Sequence, residues 1–222
     1  GPDYDQLLTD AFTDGRAVGL GSTGQSHIRG SMSLANVAYS TTLTWAFPDM
    51  KELERQARVP LFGDAPVELG HQDNGDELIS RLRAVDKYRE LFKLAFPDDV
   101  DPFSVNNVLK AIACFERTLL SGNSPYDVYL RTKDPNAISE SAKRGEKLFF
   151  DPDTGGRAFE CFHCHGGPTF SDQLSHAKQP SGEEPFHNTG LYNLDIYGAY
   201  PEGNQGVYEF SKDNYDRGRF KA

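Results

Sequence analysis

The stretch ECFHCHGG, residues 160–167, places two cysteines three positions apart and a histidine directly after the second. A haem attached through two thioether bonds needs cysteines on successive turns of one short helix, with an imidazole beside them that can reach the iron. Cys161, Cys164 and His165 meet both requirements. We therefore interpret this segment as the attachment site of one c-type haem, with His165 as a ligand of the haem iron.

Zinc binding is the alternative that the same residues leave open, and chance is a third. A structural zinc site needs four nitrogen or sulfur ligands. His165, His176 and His187 could contribute, but the sequence holds no second cysteine pair to close such a site. The remaining cysteine, Cys114, lies in the apolar stretch VLKAIACFERTLL. We predict it to be a small buried hydrophobic residue, so the haem hypothesis is favoured.

The overall charge excludes one class of partner. The 222 residues carry a formal net charge of −10. Nucleic-acid binding needs clustered Lys and Arg, so we expect no nucleic-acid partner, whereas a cationic protein would be attracted. No apolar run approaches the ~20 residues that a transmembrane helix needs, and we expect no membrane span.

Helical signals in four segments predict helices, and in two of them, residues 75–96 and 101–122, apolar residues recur with helical spacing. We interpret residues 123–138 as a link and the chain from residue 155 onward as mostly loop. That is more irregular backbone than usually folds unaided, so something besides a plain hydrophobic core is expected to organise it. The four predicted helices span residues 50–58, 75–96, 101–122 and 139–150, and the second carries an apolar stripe of Leu78, Leu82, Val85, Tyr88, Leu91 and Phe92.

Several segments follow one another in an order that resembles a known family. They are AFTDGRAVGLGSTGQSHIRGSMSLANVAYSTTLTW, LERQARVPLFGDAPVELG, AIACFERTLLSGNSPYDVYL, AKRGEKLFF, CFHCHGGPTFSD, FHNTGLYN and DRGRFKA. The chain resembles the bacterial di-haem cytochrome c peroxidase and MauG superfamily, and most closely its MbnH-like branch. The resemblance covers nearly the whole chain beyond residue 10.

The resemblance implies an all-α, haem-binding fold of two cytochrome c-like helical domains with long ordered loops. Residues 1–138 would form an amino-terminal domain of the peroxidatic type, and residues 139–222 a carboxy-terminal c-type haem domain. The implied cofactors are haem c and a calcium ion between the haems. The family's calcium-binding asparagine falls on Asn36, and its inter-haem electron-transfer tryptophan falls on Trp45, the single tryptophan. Core packing is the alternative role for Trp45.

The family's peroxidatic pocket has a glutamine, a proline and an acid, which the resemblance places on Gln56, Pro60 and Glu68. A carboxylate there can take a proton from bound peroxide and return it to the leaving oxygen, while an amide can orient the peroxide. The alternative is that Glu68 is a solvated loop acid.

The chain departs from the family pattern at both ends. After the haem motif comes GGPTFSDQ, and LTDAFTDG near the amino end repeats its aromatic, hydroxyl, acid order, yet no Cys-x-x-Cys-His precedes Phe12. The family also usually continues beyond the position of Ala222. We expect an excerpt of a protein that carries two haems when intact, and a member that retains one haem is the alternative.

The resemblance implies a periplasmic peroxidase-like oxidoreductase, because covalent haem attachment is normally completed outside the bacterial cytoplasm. Its partners would be hydrogen peroxide and either a small electron-donor protein or a protein substrate whose side chain is oxidised. A non-catalytic electron-transfer cytochrome is the alternative function, and a zinc-stabilised binding module is a third. Candidates for the sixth iron ligand remain open: His176, His187, Tyr192, Tyr197, Tyr200 and Tyr208.

Overall fold

The computed structural model describes residues 16–72, 75–150, 159–175 and 185–221. These residues are rich in helix, with a single two-stranded antiparallel pair among them. None of the described helices is long and apolar enough to cross a membrane. In chain order the elements are α1 (Leu53–Phe62), α2 (Gly75–Arg83), α3 (Asp86–Ala95), α4 (Val105–Glu116), α5 (Pro125–Thr132), α6 (Glu140–Phe150), β1 (Phe186–His187), α7 (Tyr208–Ser211) and β2 (Phe220–Lys221).

The helix predicted over residues 75–96 is two helices, α2 and α3, separated at Val85. The backbone of Val85 is extended, with φ −96° and ψ 116°. The guanidinium of Arg89 donates to the carbonyl of Arg83 at 2.9 Å, which satisfies one of the carbonyls left open where α2 ends. The break rotates part of the predicted stripe to the surface, since Val85, Tyr88 and Leu91 are exposed.

Helix α5 lies inside the segment interpreted as a link. Its amino end has a capping box, in which the Ser124 hydroxyl accepts from the Asp127 amide at 3.2 Å and the Asp127 carboxylate accepts from the Ser124 amide at 2.8 Å. Pro125 occupies the first turn, where its missing N–H costs nothing. The Asn, Ser and Pro residues that indicated a link are therefore, in part, helix-start signals.

Two clusters of buried hydrophobic residues organise α1 to α4. One contains Ala57, Leu61 and Leu109, and the other is built around Phe92, Phe103 and Val108. Helix α4 contributes to both by burying the face that carries Val108, Leu109 and Ala113. The prediction that Cys114 is buried is wrong, because one residue beyond Ala113 the helix has turned away from the buried face and Cys114 is exposed.

The chain divides into two compact units. Unit 1 comprises Gly1–Ala38 and Asp49–Leu119, and unit 2 comprises Tyr39–Pro48 and Leu120–Ala222. The predicted domain boundary after residue 138 stays a prediction. The main change from unit 1 to unit 2 follows Leu119, and the early segment Tyr39–Pro48 also belongs to unit 2.

The segment Tyr39–Pro48 belongs to unit 2 through its main chain. The Thr41 amide donates to the Gln173 carbonyl at 2.7 Å, and the Ser175 amide donates to the Tyr39 carbonyl at 2.9 Å. At its other end the Lys221 amide, in β2, donates to the carbonyl of Trp45 at 2.8 Å. Trp45 is thereby held in the same unit as Cys161, Cys164 and His165.

Candidate functional site

The cysteine pair of unit 2 lies on a tight 3₁₀ turn, Cys161–His163. The amides of Cys164 and His165 both donate to the carbonyl of Cys161, at 3.3 Å and 2.9 Å. Both thiols are free and half-buried. Burial, and then the charge of Asp172, raises the pKa of the Cys164 thiol. The turn therefore presents two free thiols one turn apart, as thioether attachment requires.

His165 is oriented by a main-chain carbonyl. Its Nδ1 lies 3.2 Å from the carbonyl oxygen of Phe170, which can only accept, so Nδ1 donates. In the neutral imidazole this tautomer has the lone pair on Nε2. Histidines that bind metals almost always donate their other ring N–H in this way. This geometry leaves Nε2 of His165 available as a ligand atom.

Two glycines shape the turn that brings Phe170 back to His165. A Cβ on Gly166 would lie 2.8 Å from the Phe162 carbonyl oxygen, so only glycine fits. Gly167 has φ +72°, a conformation that favours glycine, and its carbonyl lies 3.4 Å from the Phe170 amide. The GG that follows the histidine in the sequence thus positions the acceptor of its Nδ1 proton.

Aromatic rings surround this turn. The ring of Phe170 lies 5.5 Å from that of Phe149 and 6.1 Å from that of Phe150, and Phe150 lies 6.3 Å from Phe162. Phe159, directly before the motif, is 74% exposed. Free thiols, an oriented imidazole and apolar rings are the groups that a covalently attached porphyrin needs, so the residues present fit haem c.

The zinc hypothesis finds no such support. In the part of the chain that the structure describes, no three His, Cys, Asp or Glu side chains gather closely enough to hold a metal ion. His187, in β1, is engaged elsewhere, since its Nε2 hydrogen-bonds the Asp172 carboxylate. His176 lies outside the described residues.

Unit 1 brings Gln56, Pro60 and Glu68 into one neighbourhood. Gln56 and Pro60 are four residues apart on α1 and share one face of it. After α1 the chain turns back along the helix, because the Leu69 amide donates to the Pro60 carbonyl at 2.9 Å and the His71 amide to the Leu61 carbonyl at 3.1 Å. Gln56, Pro60 and Glu68 are all half-buried.

A second loop, which sequence reasoning missed, fixes the position of Glu68. The Ser22 amide donates to the Glu68 carbonyl at 2.6 Å, and the Gln25 side chain accepts from the Val67 amide at 3.2 Å. A Cβ on Gly21 would collide with the carbonyl of Val67. The glycine-rich run GLGSTGQ, residues 19–25, was the sequence signal that could have revealed this loop. Glu68 thus sits on a braced loop, which weakens its interpretation as a merely solvated acid.

Asn36 and Trp45 fall in different units. Asn36, in unit 1, is 9% exposed and has φ 58°, and its amide donates to the Leu119 carbonyl at 2.8 Å. The side-chain carboxamide of the buried Asn36 fits as one oxygen ligand of calcium. Among the described residues, no cluster of three acids accompanies it. Trp45, in unit 2, is half-buried.

Comparisons with known proteins place this chain in a family. The family model described as "Di-haem cytochrome c peroxidase" matches residues 7–135. The methylamine utilization protein MauG of Methylophilus methylotrophus is 33% identical over 83% of this chain and 48% of its own length. A cytochrome-c peroxidase of Denitromonas iodatirespirans is 35% identical over 94% of this chain and 56% of its own. The chain belongs to the di-haem cytochrome c peroxidase family.

A solved structure supports the same assignment. The crystal structure of a MauG-like protein associated with microbial copper homeostasis is 42% identical and has a TM-score of 0.86, covering 97% of this chain and 60% of that one. The superfamily and the MbnH-like branch predicted from the sequence are confirmed. The chain spans about half the length of the curated relatives it matches. The residues that match the family model end at 135, before Cys161. The Cys161–His165 motif is therefore evidence separate from that match.

Proposed function

We propose that this protein is a c-type haem oxidoreductase that reduces hydrogen peroxide, with electrons from a small redox protein or from a side chain of a protein substrate. The observation that carries the proposal is the orientation of the His165 imidazole. Its Nδ1 is hydrogen-bonded to the Phe170 carbonyl, and the free thiols of Cys161 and Cys164 lie on the same turn. Family membership supports a peroxidase over a carrier that performs no catalysis.

In unit 2, Cys161 and Cys164 would hold the haem through thioether bonds and His165 would bind its iron. When bound, the haem supplies one-electron oxidation and reduction. The Phe170 carbonyl holds the Nδ1 proton and so keeps Nε2 available as a ligand. The neighbouring rings of Phe149 and Phe150 contribute an apolar environment that limits the access of water.

In unit 1, Glu68 would move protons during peroxide reduction. Reduction of one peroxide to two waters consumes two electrons and two protons. The Glu68 carboxylate accepts a proton from bound peroxide and returns it to the oxygen that leaves, while the amide of Gln56 donates a hydrogen bond that orients the peroxide. The Pro60 ring adds a rigid apolar wall on the same face of α1 as Gln56.

The remaining residues would connect the two sites and stabilise the protein. The Trp45 indole is oxidisable and would relay electrons, while Asn36 would supply an oxygen ligand to calcium. We further propose two cytochrome c-like domains, residues 1–138 and 139–222, with two haems in the intact protein. Periplasmic placement follows from covalent haem attachment, and the net charge of −10 favours a cationic redox partner.

The test is a substitution that removes the carboxylate of the proposed proton carrier and keeps the size of its side chain. Glu68→Gln should lower the rate of peroxide turnover by about 10²–10⁴-fold without changing haem content, because a positioned general acid and base contributes that much. Asp64→Asn, on an exposed acid of the same loop, is the matched control and should leave turnover unchanged. Equal turnover of the Glu68 variant and the native protein would remove Glu68 from the mechanism.

Haem stoichiometry per intact protein provides a second measurement. Two covalent haems are expected, visible as a Soret band that survives acid–acetone extraction. A protein with one haem that reduces no peroxide would be an electron carrier, and a protein without iron would be neither.

A further inference from the structure

Tyr126 and Glu146 form a half-buried phenol–carboxylate pair beside the haem motif. Tyr126 lies in the first turn of α5, and its hydroxyl donates to Oε1 of Glu146, in α6, at 2.9 Å. The Tyr126 side chain is half-buried. A phenol that donates to a carboxylate at this distance has a proton acceptor already in place.

The surroundings keep the phenol neutral. Burial, then the hydrogen bond and charge of Glu146, and last the neighbouring Tyr129, raise the pKa of Tyr126 to about 12. A tyrosine in this state does not ionise at physiological pH, so it can lose an electron readily only if its proton leaves in the same step.

Direct contacts connect Tyr126 to the iron ligand. Its ring centroid lies 5.2 Å from that of Phe170, and the Phe170 carbonyl holds the Nδ1 proton of His165. On the other side the ring of Tyr129 lies 6.1 Å from that of Tyr126. Tyr126 is therefore an oxidisable residue in ring contact with Phe170, the residue whose carbonyl orients His165.

We propose that Tyr126 is a redox-active tyrosine that donates an electron to the oxidised haem held at Cys161 and Cys164, with Glu146 as the acceptor of its proton. This inference rests on the proposed function for its oxidant, which peroxide supplies. In the step the Tyr126 O–H bond breaks and a Glu146 O–H bond forms. One electron passes from the phenol to the haem iron, which is reduced by one unit, leaving a neutral tyrosyl radical and a protonated Glu146.

The contact could instead serve only to join α5 to α6. A purely structural hydrogen bond would change stability when removed but would leave radical formation unaltered. Radical formation is therefore the readout that separates the two roles.

The experiment uses the intact haem-loaded protein and two oxidants. One sample receives hydrogen peroxide, and the other receives flash-generated tris(bipyridine)ruthenium(III), a one-electron oxidant that needs no peroxide chemistry. Both are frozen rapidly, and the tyrosyl radical is measured by electron paramagnetic resonance. The variants are Tyr126→Phe, which keeps the ring, Glu146→Gln, which keeps an acceptor oxygen but removes the base, and Tyr197→Phe, at a side chain that is 88% exposed.

The native protein and Tyr197→Phe should give the radical with both oxidants, and Tyr126→Phe should lose the larger part of it. Glu146→Gln should form it about 100-fold more slowly, the lower end of what a positioned base contributes. An undiminished radical in Tyr126→Phe after the flash would overturn the assignment, and an unchanged rate in Glu146→Gln would remove the role of Glu146. A Tyr126 radical after the flash, but none after peroxide, would contradict the proposed function while supporting the redox-active tyrosine.

Discussion

The two units position their candidate residues by different means. In unit 1, Gln56, Pro60 and Glu68 depend on a helix packed into a buried cluster and on a loop braced by main-chain hydrogen bonds. In unit 2, His165 depends on a glycine-shaped turn among aromatic rings, of which Phe159 and Phe170 are exposed. The candidate residues of unit 1 thus lie on a packed hydrophobic core. Unit 2 also buries hydrophobic residues, among them Phe186, Val207 and Phe220, but the rings around His165 leave apolar surface that suits a large apolar cofactor.

This difference predicts that loss of haem and loss of core packing affect the two units differently. Burial of apolar side chains stabilises unit 1 directly. In unit 2 the rings of Phe159 and Phe170 would gain comparable burial from a bound porphyrin. We therefore expect haem attachment to act as a folding determinant for unit 2 and to matter far less for unit 1.

The largest expected effect comes from removing the attachment residues. Cys161→Ala combined with Cys164→Ala should abolish covalent haem, so that no Soret band survives acid–acetone extraction. Hydrogen exchange should then show loss of protection in α6 and β1, while α1 and α4 retain theirs. Cys114→Ala, at an exposed cysteine outside the motif, is the control. Unchanged protection in unit 2 would contradict the comparison.

The converse substitution acts on the core of unit 1. Leu109→Ala should lower the free energy of unfolding of unit 1 by about 2–5 kcal/mol, because it removes a buried side chain from a packed cluster. Urea titration measures this loss, and the position and intensity of the Soret band should not change. Val59→Ala, at a side chain that is 47% exposed, should cost much less. A Soret shift in Leu109→Ala would show that the haem site also depends on this core.

Lys221 offers a pH-dependent test of unit 2. Burial, partly offset by Asp172, lowers the pKa of Lys221 to about 8, and its Nζ donates to the Thr42 carbonyl at 2.9 Å. The unfolded chain keeps this proton up to about pH 10.4, so it binds more protons than the folded state above pH 8. Stability contributed by Lys221 should therefore rise between pH 8 and 10, on the order of 2 kcal/mol.

The measurement is the difference in unfolding free energy between the native protein and Lys221→Met at each pH. Taking this difference removes the contributions of other groups that titrate between pH 8 and 10. A native protein that gains no stability relative to Lys221→Met between pH 8 and 10 would show that Lys221 is not buried as described.

The smallest effect is expected from an ion pair on unit 1. Arg117 donates to both Glu54 carboxylate oxygens, at 2.9 Å and 3.2 Å, and this hydrogen bonding lowers the pKa of Glu54. The pair is partly exposed, so a double-mutant cycle should give about 0.2–1 kcal/mol. Because the folded pKa is lowered, this contribution is present above the usual pKa of Glu54 and is lost as pH falls through the lowered value. A coupling that persists at pH 2 would contradict this origin.

Local signals in the sequence accounted for much of the chemistry and part of the fold. The spacing of Cys161, Cys164 and His165 predicted a short helical turn, which the structure contains. Helical signals in the sequence predicted α1, α4 and α6. The break at Val85 was not predictable, because no glycine or proline marks it. Helix α5 was missed although Ser124 and Pro125 are typical helix-start residues.

Long-range contacts account for the rest. The pairing of Ser22 with Glu68 and of Trp45 with Lys221 joins segments far apart in sequence, which no local pattern encodes. Cys114 was misjudged because an apolar stretch does not say which side of a helix faces the core. The roles of Gln56, Pro60, Glu68 and Asn36 stay predictions, and the Glu68→Gln measurement tests one of them.

The ten residues from Tyr39 to Pro48 have a consequence for how such a protein can be divided or recombined. They separate two parts of unit 1 along the gene, yet they supply main-chain partners to Gln173 and Lys221. A gene fragment that starts at residue 120 would encode unit 2 without them. Unit 2 therefore cannot be transplanted as one uninterrupted cassette, and a recombination point at residue 120 would separate Gln173 and Lys221 from their main-chain partners.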